Sequence, residues 1–64
     1  MKPLDVVRFE WNNEIHEGRI MGYTITKYNT LWSMAVKDGD RELIYRDIPE
    51  ENIIEIVKVS DEYI

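Results

Sequence analysis

Cysteine is absent from the 64 residues, which excludes disulfides, thiolate nucleophiles and zinc–thiolate sites together and agrees with a reducing compartment. Proline occurs twice and glycine three times, so no stretch has linker or low-complexity composition, and Pro3, Pro49, Gly18, Gly22 and Gly39 act as isolated punctuation. Apolar runs reach only two or three residues, as in Ile20-Met21 and Ile53-Ile54, far short of the roughly 20 that span a bilayer. The opening Met1-Lys2-Pro3-Leu4-Asp5 carries an acid where a secretory leader needs an apolar segment, so the expected location is the cytoplasm. Positive charge is also scarce. Eight Lys and Arg face 13 Asp and Glu, a net charge of −5. His16 is the only histidine, and with Ser33, Ser60, threonines and lysines as the remaining nucleophiles no catalytic constellation forms. The chain reads as non-enzymatic, with no cofactor and no metal site.

What is present is enough hydrophobicity, 44% of residues against 33% charged, to order one small domain with a core over about residues 4–59. Val7, Phe9 and Trp11 alternate with Arg8 and Glu10, the pattern of a half-buried strand over 6–11. Asn12-Asn13 tolerates the positive φ of a two-residue hairpin turn. A second strand runs from Glu14 to Thr26. There Ile15, Met21, Tyr23 and Ile25 oppose Gly18 and Ile20 in parity, which calls for a bend at Gly18 or Gly22. His16, between Glu14 and Glu17, falls on the polar parity and reads as a surface residue. Lys27-Tyr28-Asn29-Thr30 is a loop, Leu31 to Val36 a third strand, 37–42 a hairpin loop around Asp38-Gly39-Asp40, and Leu43-Ile44-Tyr45 a short fourth strand. Asp47 to Ile53 holds Pro, two acids and Asn in the order of one 3₁₀ or helical turn. Ile53 to Val59 is the fifth strand, and 60–64 a frayed tail.

Five short strands, a glycine bend in the second and a helical turn before the last describe an all-β, five-stranded SH3-like barrel. Asp5-Val6-Val7-Arg8-Phe9, Gly18-Arg19-Ile20 and Ile48-Pro49-Glu50-Glu51-Asn52-Ile53 give the chain, over about residues 4–57, a layout similar to the bacterial Tudor/KOW-like branch of that fold. Leu4 stands where many such openings carry the glycine of Gly-Asp-x-Val. The Ala-Leu-Tyr-Asp-Tyr motif of signalling SH3 domains is absent, so proline-rich peptide binding is not implied. The resemblance implies fold, and function is argued from the residues.

Two tryptophans, four tyrosines and Phe9 are more aromatic surface than one small core hides. Trp11, Tyr28, Trp32 and Tyr45 fall at strand ends or in the loop before the third strand, where SH3-like barrels form their ligand groove. Trp, Tyr and Arg are also enriched at contact hot spots. With Glu50 and Glu51 at the rim, this set is expected to bind a partner protein or basic peptide. The alternative is a nucleic-acid-associated KOW-like domain using Arg8, Arg19 and Lys27. Residues 1–37 carry five basic and four acidic groups, whereas 38–64 carry three and nine, so phosphate is repelled by the second half and nucleic acid is the lesser expectation. That acidic half admits a third reading, an inhibitor that occupies the basic site of a nucleic-acid-binding protein. The Asp38-Gly39-Asp40-Arg41-Glu42 run lacks Ca²⁺-loop spacing and reads as a solvated turn. Partner identity and oligomeric state are not encoded in any of these patterns.

Overall fold

A computed structural model of the chain describes residues 1–61. Five antiparallel strands make up most of it: β1 (Val6–Trp11), β2 (Glu14–Ile25), β3 (Thr30–Asp38), β4 (Arg41–Pro49) and β5 (Ile53–Lys58), with a 3₁₀ turn over Glu50–Asn52 before the last. Their order is β4-β3-β2-β1-β5, so the chain meanders through four strands and returns to lay β5 along β1. The expected all-β arrangement and the 3₁₀ turn are both present. β4 and β5 do not pair with each other, so the sheet is not closed, and the architecture is a small antiparallel sheet compatible with a barrel.

Turn chemistry fixes the hairpins. Asn12 and Asn13 both take positive φ, 52° and 63°, the combination a type I′ loop demands. Gly39 (φ 63°) lies in a two-residue turn flanked by the Asp38–Arg41 pair, so the stretch expected as a loop over 37–42 is mostly strand. β4 likewise extends to nine residues beyond the expected Leu43–Tyr45. As an edge strand it carries Arg41, Glu42, Arg46 and Asp47, and this polarity hid its ends. Pro49 closes β4 with extended backbone, and the 3₁₀ turn begins one residue later. Leu4 adopts φ 74°, a conformation open to glycine and costly for a side chain, and this is the position at which similar openings carry glycine.

Val7, Phe9, Ile20, Trp32, Met34 and Ile48 form the buried cluster, with Trp11, Val36, Tyr45 and Ile53 packed around it. All six lie on one sheet face. Among the described residues no second layer covers that face, so full burial requires the sheet to curl over its own core. Register shifts occur between β1 and β5, at Val6–Val7 and Arg8–Phe9, and on both sides of Ser33. In β2 the register slips between Ile20–Met34 and Gly22–Ser33, leaving Met21 extra. In β4 it slips between Trp32–Ile48 and Met34–Tyr45, leaving Arg46 and Asp47 against Ser33. Bulges of this kind bend and twist a strand. The β2 bulge also switches the inward set from His16, Gly18 and Ile20 to Tyr23, so the bend falls at Met21–Gly22.

Gly18 serves packing. A Cβ there would lie 3.1 Å from Phe9 Cε1, 3.1 Å from Val36 Cγ2 and 3.2 Å from the Ala35 carbonyl oxygen; the bare backbone is what lets the Phe9 ring cross β2. At Gly22 a Cβ would meet no atom within 4 Å.

The N-terminal segment is fastened by Asp5, 2% exposed. Its carboxylate accepts hydrogen bonds from Lys2 Nζ (2.8 Å), the Lys2 N–H (3.1 Å) and the Ser60 N–H (2.8 Å). The expected frayed tail is therefore held at Ser60, and 62–64 lie outside the described residues. Those donors, the Lys2 side chain foremost, lower the Asp5 pKa from 3.8 to about 2.

Two predictions follow from this packing. Gly18→Val forces two methyls into the Phe9–Val36 contact and is expected to destabilise the domain by about 1–3 kcal/mol, read as a lower denaturant midpoint with an unchanged slope. Because the Asp5 pKa is depressed on folding, its contribution is complete above about pH 4 and is lost as pH falls through about 2. The thermal midpoint should drop across that window, and Asp5→Asn should be less stable at neutral pH with a shallower acid limb.

Candidate functional site

The β2–β3 loop is organised by one hydroxyl. Thr26 Oγ1 accepts the Tyr28 and Asn29 N–H groups (3.2 and 3.0 Å), and its single proton faces the Asn29 carbonyl oxygen and Oδ1 (2.9 and 2.8 Å). The Thr26 N–H also donates to the Asn29 carbonyl oxygen at 2.8 Å. This is a side-chain-locked turn, and it holds Tyr28 outward at 87% exposure. Lys27 Nζ lies 5.8 Å from the Tyr28 ring centroid, within reach of the ring face.

Register then brings the end of β4 alongside. Leu31 pairs with Pro49, so the 3₁₀ turn that follows Pro49 stands across from the loop. Tyr28, Asn29, Thr30, Pro49, Glu50 and Glu51 line a cleft of about 320 Å³. Trp32 Nε1–H donates to Glu50 Oε1 at 3.2 Å, fixing that carboxylate from the core side. Asn52 Nδ2 donates to the Glu10 carbonyl at 2.9 Å, tying the turn to β1. The cleft thus joins an aromatic face, a proline ring and two carboxylates, with no basic residue in the turn.

Of the residues expected at a contact groove, Tyr28, Glu50 and Glu51 share this cleft. Trp32 is 5% exposed; its ring lies 5.2 Å from that of Tyr23, and it supports the cleft from behind through Glu50. Tyr45 sits elsewhere, with ring centroids 5.6 Å from Phe9 and 5.1 Å from His16. Trp11 packs against the core at the end of β1 and does not line the cleft. Sequence reasoning missed Pro49, Asn29 and Thr30, whose only signal was loop composition.

His16 was expected on the surface. Its side chain is 18% exposed, and its ring lies 5.5 Å from Phe9, because β2 turns its even residues inward ahead of the bulge. Glu14 Oε2 is 3.8 Å from its Nε2.

The basic residues of the alternative reading do not form a patch. Arg8 lies between Glu17 (3.5 Å) and Glu55, with which it is also hydrogen-bonded. Arg19 faces Glu42 at 3.5 Å. Lys27 stands apart in the β2–β3 loop. Among the described residues no group of three His, Cys, Asp or Glu side chains gathers as a metal site, and no helix is long and apolar enough to cross a membrane.

The cleft sets the Tyr28 ring and the Glu50 and Glu51 carboxylates around one concavity. Compared with known proteins, the chain matches no family model, no curated protein and no solved structure.

Proposed function

We propose that this chain is a non-enzymatic cytoplasmic interaction module, an SH3-like barrel of Tudor/KOW-like form. In this reading it takes a lysine- or arginine-bearing segment of a partner protein into the cleft between Tyr28 and Glu50–Glu51. The observation that carries the reading is the exposed, pre-ordered Tyr28 opposite two acids. A turn locked by Thr26 spends little entropy on binding. Cation–π attraction at an exposed ring and exposed charge pairs each contribute up to about 1 kcal/mol. The nucleic-acid alternative loses support because Arg8 and Arg19 are neutralised by Glu17, Glu55 and Glu42.

The test is an amide NMR titration of the whole chain with a blocked pentapeptide of alternating lysine and leucine. Shifts are expected at Tyr28–Thr30 and Glu50–Glu51. Tyr28→Ala should weaken binding about five-fold while leaving the thermal midpoint nearly unchanged, since the side chain is 87% exposed. Lys27→Gln separates the readings, because it removes a like charge beside the ring. It should tighten the lysine peptide, whereas nucleic-acid binding would weaken. Shifts confined to other residues, or indifference to Tyr28→Ala, would sink the cleft assignment.

A further inference from the structure

A second surface, away from the acidic cleft, is left unused by that reading. The bulges that flank Ser33 border a groove of about 350 Å³, lined on the face opposite the core by Met21, Gly22, Thr24, Ser33, Ile44 and Arg46, with Tyr23 at its edge. Met21 and Ile44, 49% and 48% exposed, give it apolar walls open to solvent, between the polar Thr24, Ser33 and Arg46. Arg46 stands at the β4 bulge beside Asp47, a non-glycine residue with φ 57°. Among the described residues no carboxylate lies within ion-pair distance of Arg46.

Gly22 is the sharper observation. Glycine inside a strand costs stability and otherwise marks a bulge, a special backbone angle or a close approach. Gly22 has no positive φ, and a Cβ built on it meets nothing within 4 Å. Gly22 stands at the β2 bulge, where glycine eases the bend, and, in contrast to Gly18, the space its side chain would occupy is open. What its absence does is keep the groove floor clear between Met21 and Ser33.

We infer that this groove is a second docking site, which receives an extended segment of a partner protein carrying an apolar side chain next to a carboxylate. The apolar side chain lies over Gly22 between Met21 and Ile44, and the carboxylate meets the Arg46 guanidinium, whose planar fork matches it. Charge complementarity selects the occupant. One cation in an apolar frame suits a single acidic group, whereas a nucleic-acid backbone needs several cations together, and Arg19 is already paired with Glu42. Met, Tyr and Arg are residue types enriched at interfaces.

The probe is a blocked pentapeptide of alternating glutamate and leucine, titrated into the full-length chain and followed by amide NMR, with the lysine–leucine peptide as its counterpart. The acidic peptide should shift Met21–Thr24, Ser33, Ile44 and Arg46, and the basic one should leave them in place. Gly22→Val, with its fold checked by the thermal midpoint, should weaken the acidic peptide at least ten-fold. Arg46→Gln, which leaves the packing intact, should weaken it about five-fold. Three results overturn the site: equal binding of both peptides at the groove, no shift there, or a Gly22→Val variant that binds undiminished. If the groove resonances instead move on dilution without peptide, the occupant is a second copy of the chain and the acidic-partner assignment falls. Because the two sites read out on separate resonances, failure here leaves the Tyr28 cleft standing, and the reverse also holds.

Discussion

The structure depends on one geometric constraint: a single five-stranded sheet has nothing but itself with which to cover its apolar face. Val7, Phe9, Ile20, Met34 and Ile48 are fully buried although, among the described residues, only a 3₁₀ turn accompanies the strands. Curling is the only way to reach that burial. The slips at Met21 and at Arg46–Asp47 fall on either side of the same residue, Ser33, so the two bends act at one level of the sheet. Gly18 completes the fit, since a curled sheet draws β1 and β3 side chains together over β2, and the Phe9 and Val36 side chains meet where a Cβ would have stood.

A curled sheet without closure leaves its ends to be secured by other means. Asp5 supplies that at one end, joining Lys2 to the residues after β5 through three donors. Burying a carboxylate is tolerated when its lone pairs are met by charged and backbone donors, and each donor here comes from a segment that would otherwise be loose. At the other end the 3₁₀ turn does the equivalent work, with Asn52 bonded to β1 and Glu50 to Trp32 of β3. The candidate cleft is therefore built on one of the two fastenings of the sheet. Its carboxylate is positioned by the same bond that holds the turn.

Much of this was legible in the sequence, and what was not has physical causes. β1, the Asn12-Asn13 turn and β3 announce themselves because strict alternation and turn chemistry are local properties. β4 was underestimated because an edge strand with solvent on one side can carry Arg41, Glu42, Arg46 and Asp47 without cost. The inward face of β2 was misread ahead of the bulge. Gly18 contributes no side chain to the alternation, so the exposed Ile15 looked like core and His16, which packs on Phe9 and Tyr45, looked like surface. In the cleft, Tyr28 stood out as an aromatic in a polar loop, and Glu50–Glu51 as paired acids. Their adjacency rests on the Leu31–Pro49 register, and register across a bulged strand is a tertiary fact. Trp32, expected to line the groove, lies behind the cleft, because the parity that buries Met34 buries Trp32 as well.

The charge distribution gains a structural sense once the pairs are known. Lys2 pairs with Asp5, Arg8 with Glu17 and Glu55, and Arg19 with Glu42, so three of the five cations of the first 37 residues have a carboxylate partner within the chain. The second half keeps an excess of carboxylates, nine against three basic residues, and a field of that sign repels phosphate. Against that background Arg46 is set apart by position: it stands at the β4 bulge, beside Met21, Gly22 and Ile44. The bulges that help so short a chain bury a core also border the groove of Met21, Ile44 and Arg46, so a change that made β2 and β4 regular would disturb both.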